Sequence, residues 1–293
     1  LGGLWFMART GLARVMVQRI KALGGTVQLR SKVEEVLMEG RRAVGVRLTD
    51  GSTHHADLTV SNVHPRVLLK LLPDDAVRQA YRSRVMDQKV GVSHLGVYIE
   101  LDTPATCIGN RNIYRVQTVS PENIMDEVSL DSVPSYFATA PAEAGGVSLA
   151  RGHHVVLMMV MVSWEQVELW KDSSPGERPQ EYQTLKRALQ DQAVRSLLSD
   201  FPQLDGHIVR VEASTPLSTE NFTSSPKGAV YGHYHSVEQM GRYRPSQVIR
   251  VRDLIQVGHG VFTPGVLGAT MSAYYGCAHY LGMDNLLQEL DAV

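Results

Sequence analysis

The residue types with the clearest chemical use lie in one run near the end of the sequence, from Leu254 to Gly282 (LIQVGHGVFTPGVLGATMSAYYGCAHYLG). Gly258 and Gly260 bracket His259 directly after the apolar stretch 254–257, which suits a buried strand. Glycines at that point let the backbone turn and come close to a ligand. Thr263-Pro264 then reads as a helix start, a hydroxyl cap followed by a residue suited to the first helical position. A strand, a glycine turn and a helix N-terminus make an anion or dinucleotide site, because unpaired N–H groups and the helix dipole face the ligand. The same pattern also serves a plain strand–turn–helix crossover. Gly265, Gly268, Ala269, Ser272, Ala273 and Gly276 recur at helical spacing and predict a small-residue face for close packing.

The other polar groupings are weaker. His233-Tyr234-His235 puts two imidazoles two residues apart, on one side of a strand, a spacing compatible with a metal. No carboxylate or cysteine stands close in sequence to complete a site, so no metal is assigned; neutral polar residues beside a cavity are expected instead. His153-His154 opens an apolar strand and is expected at the surface. The serines form no nucleophile elbow. Cys107 and Cys277 are far apart, without redox or metal spacing, and Cys277 is expected as a buried thiol on the small-residue helix.

The 254–282 run resembles the C-terminal flavin-closing segment of the phytoene desaturase family of FAD oxidoreductases, which includes carotenoid isomerases and retinol saturases. There a strand ends in G-x-G, and a P-G-V-x-G helix start covers the pyrophosphate and the flavin ring. Gly258, Gly260, Pro264, Gly265, Val266 and Gly268 match that pattern, with Leu267 at its variable position. Upstream, residues 214–232 (STPLSTENFTSSPKGAVYG) resemble the segment that leads into the flavin site. The resemblance also implies a backbone contact to adenine at Val33 and a cofactor-side turn at 60–62, including Ser61 and Asn62. It implies a substrate side lined by Tyr231, His233 and His235. For Val33 the residue pattern alone equally suits a core strand position.

FAD is the implied cofactor. A dinucleotide-binding flavoprotein should also carry a strand, G-x-G-x-x-G, a helix and a later acidic residue. The sequence has no such motif; after Gly258-His259-Gly260 the third glycine position holds Thr263. The resemblance therefore covers the C-terminal part of the family's length, and the chain is expected to be a fragment, a processed chain or one half of a split protein, needing an N-terminal half or a partner chain. Exposed sheet edges and apolar surface would then favour self-association.

The elements that must position these residues follow in order. Residues 12–23 carry Leu12, Val15, Met16, Ile20 and Leu23 at helical period, closed by Gly24-Gly25. Strands are predicted at 26–29, 33–38, 43–48 and around 58–60, with Asp50-Gly51 a turn. Pro65 starts a helix over 66–72, and a charged helix occupies 73–88. Further strands are expected at 90–101, 111–119, 154–162 and 208–213, a helix at 181–198, and long loops over 120–148. The run 154–162 (HVVLMMVMV) lacks a polar face, as a strand buried on both sides does or a lip meeting an apolar ligand.

These patterns predict an α/β (mixed α+β) fold: a partial FAD-binding, Rossmann-like domain with an inserted antiparallel-sheet substrate domain. The expected parts are 1–70 as the rear of the FAD domain, 71–245 for substrate and 246–293 as the flavin-closing segment. The 293 residues carry 29 basic and 30 acidic side chains, a net charge of −1, which gives no sign of a nucleic-acid partner. No signal peptide and no spanning run of 18 apolar residues is seen, and peripheral membrane contact stays open. The resemblance implies an apolar, polyisoprenoid or carotenoid-like substrate, desaturated, saturated or isomerised at a C=C bond. Two other readings stand beside it: a scaffold that kept the fold without the cofactor, and an amine-oxidising flavoenzyme.

Overall fold

The computed structural model describes residues 2–117, 127–140 and 154–291, with side chains from 11 to 288 inside those limits. The chain folds as two compact units. One combines Leu1–Gln28 with Ser93–Asn221, and the other Leu29–Val92 with Phe222–Val293.

The first unit holds a five-stranded antiparallel sheet. Its strands are β5 (His94–Leu101), β6 (Asn112–Val116), β7 (Ser135–Thr139), β8 (His154–Met161) and β9 (Ile208–Ser214), in the order β6-β7-β8-β5-β9. Side chains alternate across a strand. Leu95, Val97, Ile99 and Leu101 of β5 therefore share a face with Val156, Met158 and Val160 of β8, and all seven are buried. The long helix α4 (Gln180–Asp200) covers that face with Leu189, Ala193 and Leu197, one turn apart. Helix α1 (Gly2–Ala22) also belongs to this unit. Its periodic Leu12, Val15, Met16 and Ile20 stay exposed.

The second unit starts with a three-stranded antiparallel meander, β1 (Val33–Glu39), β2 (Arg42–Leu48) and β3 (Thr53–His55). A parallel pair follows, β4 (Thr59–Ser61) with β10 (Leu254–Gln256). Helices α2 (Pro65–Leu71), α3 (Gln79–Asp87), α6 (Gly265–Leu281) and α7 (Met283–Asp291) complete it, while α5 (Pro216–Thr223) spans the change between units. Val36, Ala43, Leu68, Leu69, Val85, Val251 and Leu254 form its core. Arg82 closes the end of α2 by donating to the carbonyls of Leu69 (2.5 Å) and Pro73 (2.6 Å).

The mixed helix-and-sheet class agrees with the prediction, and several details differ. Residues 26–29 form no strand, because no neighbour supplies a ladder; Leu29 is exposed. The charged helix begins only at Gln79, after Pro73. Within the expected loops, 135–139 forms β7, since β6 and β8 flank it; 120–126 and 141–148 lie outside the described residues. His154 is buried, because it opens β8 on the face that carries Val156 and Met158; His153 lies outside the described residues. The apolar β8 run is buried on one face only, and Leu157, Met159 and Met161 on the other face are half-buried. Cys277 is exposed: it follows Gly276, whose buried side faces β10. Of the small-residue face, Gly268, Ser272 and Gly276 are buried, whereas Gly265 and Ala273 are exposed.

Candidate functional site

In a parallel sheet both strands deliver their carboxyl ends to the same edge, and ligands collect there. Ser61 pairs with Gln256, and the Val257 N–H donates to the Ser61 carbonyl at 2.8 Å. The loop after β4 (Asn62 to Pro65) thus meets the turn after β10 (Gly258 to Gly260). A side chain at Gly258 would begin 3.5 Å from the Asn62 carbonyl oxygen, and Gly258 holds φ at +99°, where glycine is favoured. A side chain at Gly260 would meet the Pro65 ring at 2.8 Å.

Helix α6 fixes this edge. A Cβ on Gly276 would lie 2.6 Å from Val257 Cγ1 and 3.4 Å from Ile255 Cγ2, so the helix backbone rests on β10. Ser272, fully buried, accepts the Gly258 N–H at 2.9 Å and the Gln247 side-chain N–H at 3.0 Å. Gly268 packs on the Thr263 carbonyl with no room for a methyl group. The helix start differs. Pro264 is the N-cap without a side-chain bond, Gly265 (φ +86°) has open space where a Cβ would point, and Leu267 is 74% exposed. Val266 is half-buried. The small-residue stripe therefore packs, while the uncapped first turn faces outward.

Three imidazoles gather near the edge. His64 and His233 are buried, with ring centroids 4.5 Å apart. His64 Nδ1 accepts the Arg66 backbone N–H at 3.2 Å, so its neutral form carries the proton on Nε2. That Nε2 and both ring nitrogens of His233 are buried and find no hydrogen-bond partner among the described residues. Burial, then the neighbouring His233 and Arg66, push the His64 pKa down to about 3; burial, then Arg66, push His233 down to about 4. The His259 ring lies against Gly232, and burial lowers its pKa too. Both buried imidazoles are uncharged at neutral pH. Arg66 is tied to the carbonyls of Val85 and Gln88.

Among the residues singled out from sequence, Ser61, Asn62, Gly258 and Gly260 come together at this edge with His233. Val33 lies in the meander, paired with Leu48. Tyr231 and His235 are exposed. His233 and His235 do not share a side, because only a single bridge, to Val90, holds His233 in strand-like form before the chain turns at 234–236. Sequence reading missed Ser272 as the anchor of the glycine turn and His64 as the partner of His233. For His64 the available signal was its position before Pro65, three residues past the strand.

A family model described as flavin containing amine oxidoreductase matches residues 1–278. The chain is similar to human all-trans-retinol 13,14-reductase, with 24% identity over 316 residues, covering 97% of this chain and 50% of that protein. It is similar to the zeta-carotene-forming phytoene desaturase of Myxococcus xanthus, with 26% identity over 268 residues, covering 87% and 48%. Among solved structures it is similar to an oxidoreductase from Methanosarcina mazei, with TM-score 0.56 and 15% identity, covering 86% of this chain and 50% of that one. That likeness concerns the fold. The chain spans about half the length of the curated relatives it matches. FAD is the cofactor these comparisons support. With its glycine turn, its uncapped α6 start and this match over most of its length, the chain belongs to the flavin-containing amine oxidoreductase family.

Proposed function

We propose that this chain is the C-terminal part of an FAD-dependent oxidoreductase acting on C=C or C–C bonds of a polyisoprenoid or carotenoid-like substrate. The observation that carries this reading is the β4/β10 carboxyl edge. Asn62, Gly258 and Gly260 bring bare backbone to one place, and the α6 start presents Gly265 and Leu267 outward without a cap. Those residues would hold the flavin side of the cofactor. FAD, when bound, supplies two-electron redox chemistry, and the chain's own part is to orient the substrate and exclude water. The grip on the ADP moiety would come from a G-x-G-x-x-G segment on an N-terminal half or a partner chain.

An apolar substrate is supported by the five-stranded sheet. Its face turned away from α4 carries Tyr114, Phe137 and Met159 in register, with Leu157 beside them. Such a face offers contact area and little polar chemistry, which suits a polyene. The names of the relatives, a retinol reductase and a phytoene desaturase, point to the same substrate class. The test is incubation of the chain, combined with the N-terminal half of its encoded protein and FAD, with phytoene-type and retinol-type substrates. A change in the polyene absorption band supports the reading; an amine oxidised in preference to either overturns it.

A further inference from the structure

The same sheet face carries a polar notch. Across the ladder, Tyr114 stands opposite Phe137, Phe137 opposite Met159, Met159 opposite Gly96, and Gly96 opposite Ser214. At about 4.8 Å per strand this row measures roughly 19 Å, the length of an extended chain of some fifteen carbons. Tyr114 and Phe137 rings pack 5.2 Å apart at its far end. At the other end the apolar surface stops at Gly96. A Cβ there would lie 2.8 Å from Ser214 Oγ, 3.5 Å from Tyr98 Oη and 3.6 Å from His94 Nε2. Three hydrogen-bonding groups from β5 and β9 thus converge over a position without a side chain.

The surroundings select the ligand's charge. His94 Nδ1 is buried and finds no partner among the described residues, and burial holds this imidazole below its ordinary pKa, which favours the neutral form. Tyr98 is 46% exposed and lies opposite Glu212 on β9. Glu212 pairs with Arg210 at 2.6 Å, so the cation on this strand is already engaged. A hydroxyl both donates and accepts, as do Ser214 and Tyr98, whereas a carboxylate would add negative charge beside Glu212.

Building on the apolar-substrate reading, we propose that His94, Tyr98 and Ser214 form a subsite over Gly96 that binds the hydroxyl end of an isoprenoid alcohol, its chain lying along Met159, Phe137 and Tyr114. These are positioning and specificity residues; no bond is made or broken at the notch.

The test measures binding of geranylgeraniol, geranylgeranoic acid and the parent C20 hydrocarbon to the full chain, by displacement of an environment-sensitive dye. The alcohol is expected to bind about tenfold more tightly than the hydrocarbon, the worth of one to two net hydrogen bonds. Gly96→Ala should remove that preference by filling the notch. Its methyl group meets only the rotatable Ser214 hydroxyl at close range, so the fold tolerates it. Ser214→Ala, which adds no atom, should lower the preference without any crowding. An alcohol preference that persists in both variants, or a carboxylic acid that binds best, overturns the subsite and spares the apolar-substrate reading. Failure of all three ligands to bind overturns both.

Discussion

The backbone N–H of Gly258 donates to the hydroxyl of Ser272 at 2.9 Å, tying the glycine turn after β10 to the second turn of α6. The same oxygen accepts from Gln247, so one fully buried hydroxyl holds three segments in register. This bond braces a turn that has glycines on both sides of His259.

Ser272→Ala should leave the Gly258 N–H and the Gln247 amide without that acceptor. An unpaired buried donor costs about 1–3 kcal/mol, so a loss of stability in that range is expected in urea unfolding. Flavin binding should suffer as well, because the turn loses its anchor. Unchanged stability would mean that water replaces the hydroxyl.

Gly268 and Gly265 should behave differently although both belong to the P-G-V-x-G pattern. Gly268→Ala pushes a methyl group into the Thr263 carbonyl, an overpacking expected to cost about 1–3 kcal/mol of folding stability. Gly265→Leu meets open space, and its cost to folding is about 1–2 kcal/mol from the left-handed backbone alone. Its main effect should be on flavin binding, since the added side chain covers the helix start. Parallel chemical melts and flavin titrations of the two variants separate the cases; equal loss of both properties in Gly265→Leu would assign that residue to packing.

The His64–His233 pair makes stability pH-dependent with a defined sign. Both folded-state pKa values lie below the ordinary 6.5, at about 3 and about 4. The unfolded chain therefore binds more protons in that window. The contribution is fully present above pH 6.5 and is lost as pH falls toward 4 and then 3. His233→Gln should flatten the acid side of the stability curve by roughly 3 kcal/mol, from 1.36 kcal/mol per pKa unit. Denaturant melts of wild type and variant between pH 4.5 and 7.5 check this, and parallel curves would contradict it.

How much of this could be read in advance varied with the range of the interaction. The glycine turn and the β5 and β8 strands were legible, because local spacing and apolar runs set them; the hydroxyl cap expected at Thr263 does not form, since Pro264 takes the N-cap position. The packing role of Gly268 was only half legible: a small residue announces close approach, but the partner, Thr263, is visible only in space. The His64–His233 contact joins positions 169 residues apart, and nothing local at either announces it. His154 departs from its expected surface position for a related reason. A histidine at a strand start reads as surface, yet the pleat carries it onto the face of Val156 and Met158. The polar notch over Gly96 was invisible in sequence, because it needs the registers of β5 with β8 and with β9 together.

We propose that this chain supplies the flavin-side edge of an FAD site, with the ADP grip contributed by another segment or chain. The most direct measurement is titration of FAD into the chain, alone and with the N-terminal half of its encoded protein, read by flavin absorbance and fluorescence quenching. Weak or no binding by the chain alone is expected, with stoichiometric yellow colour when the halves are combined and loss of that gain in Gly265→Leu. Tight, stoichiometric FAD binding by the chain alone would contradict it, as would a folded N-terminal half that leaves the affinity unchanged.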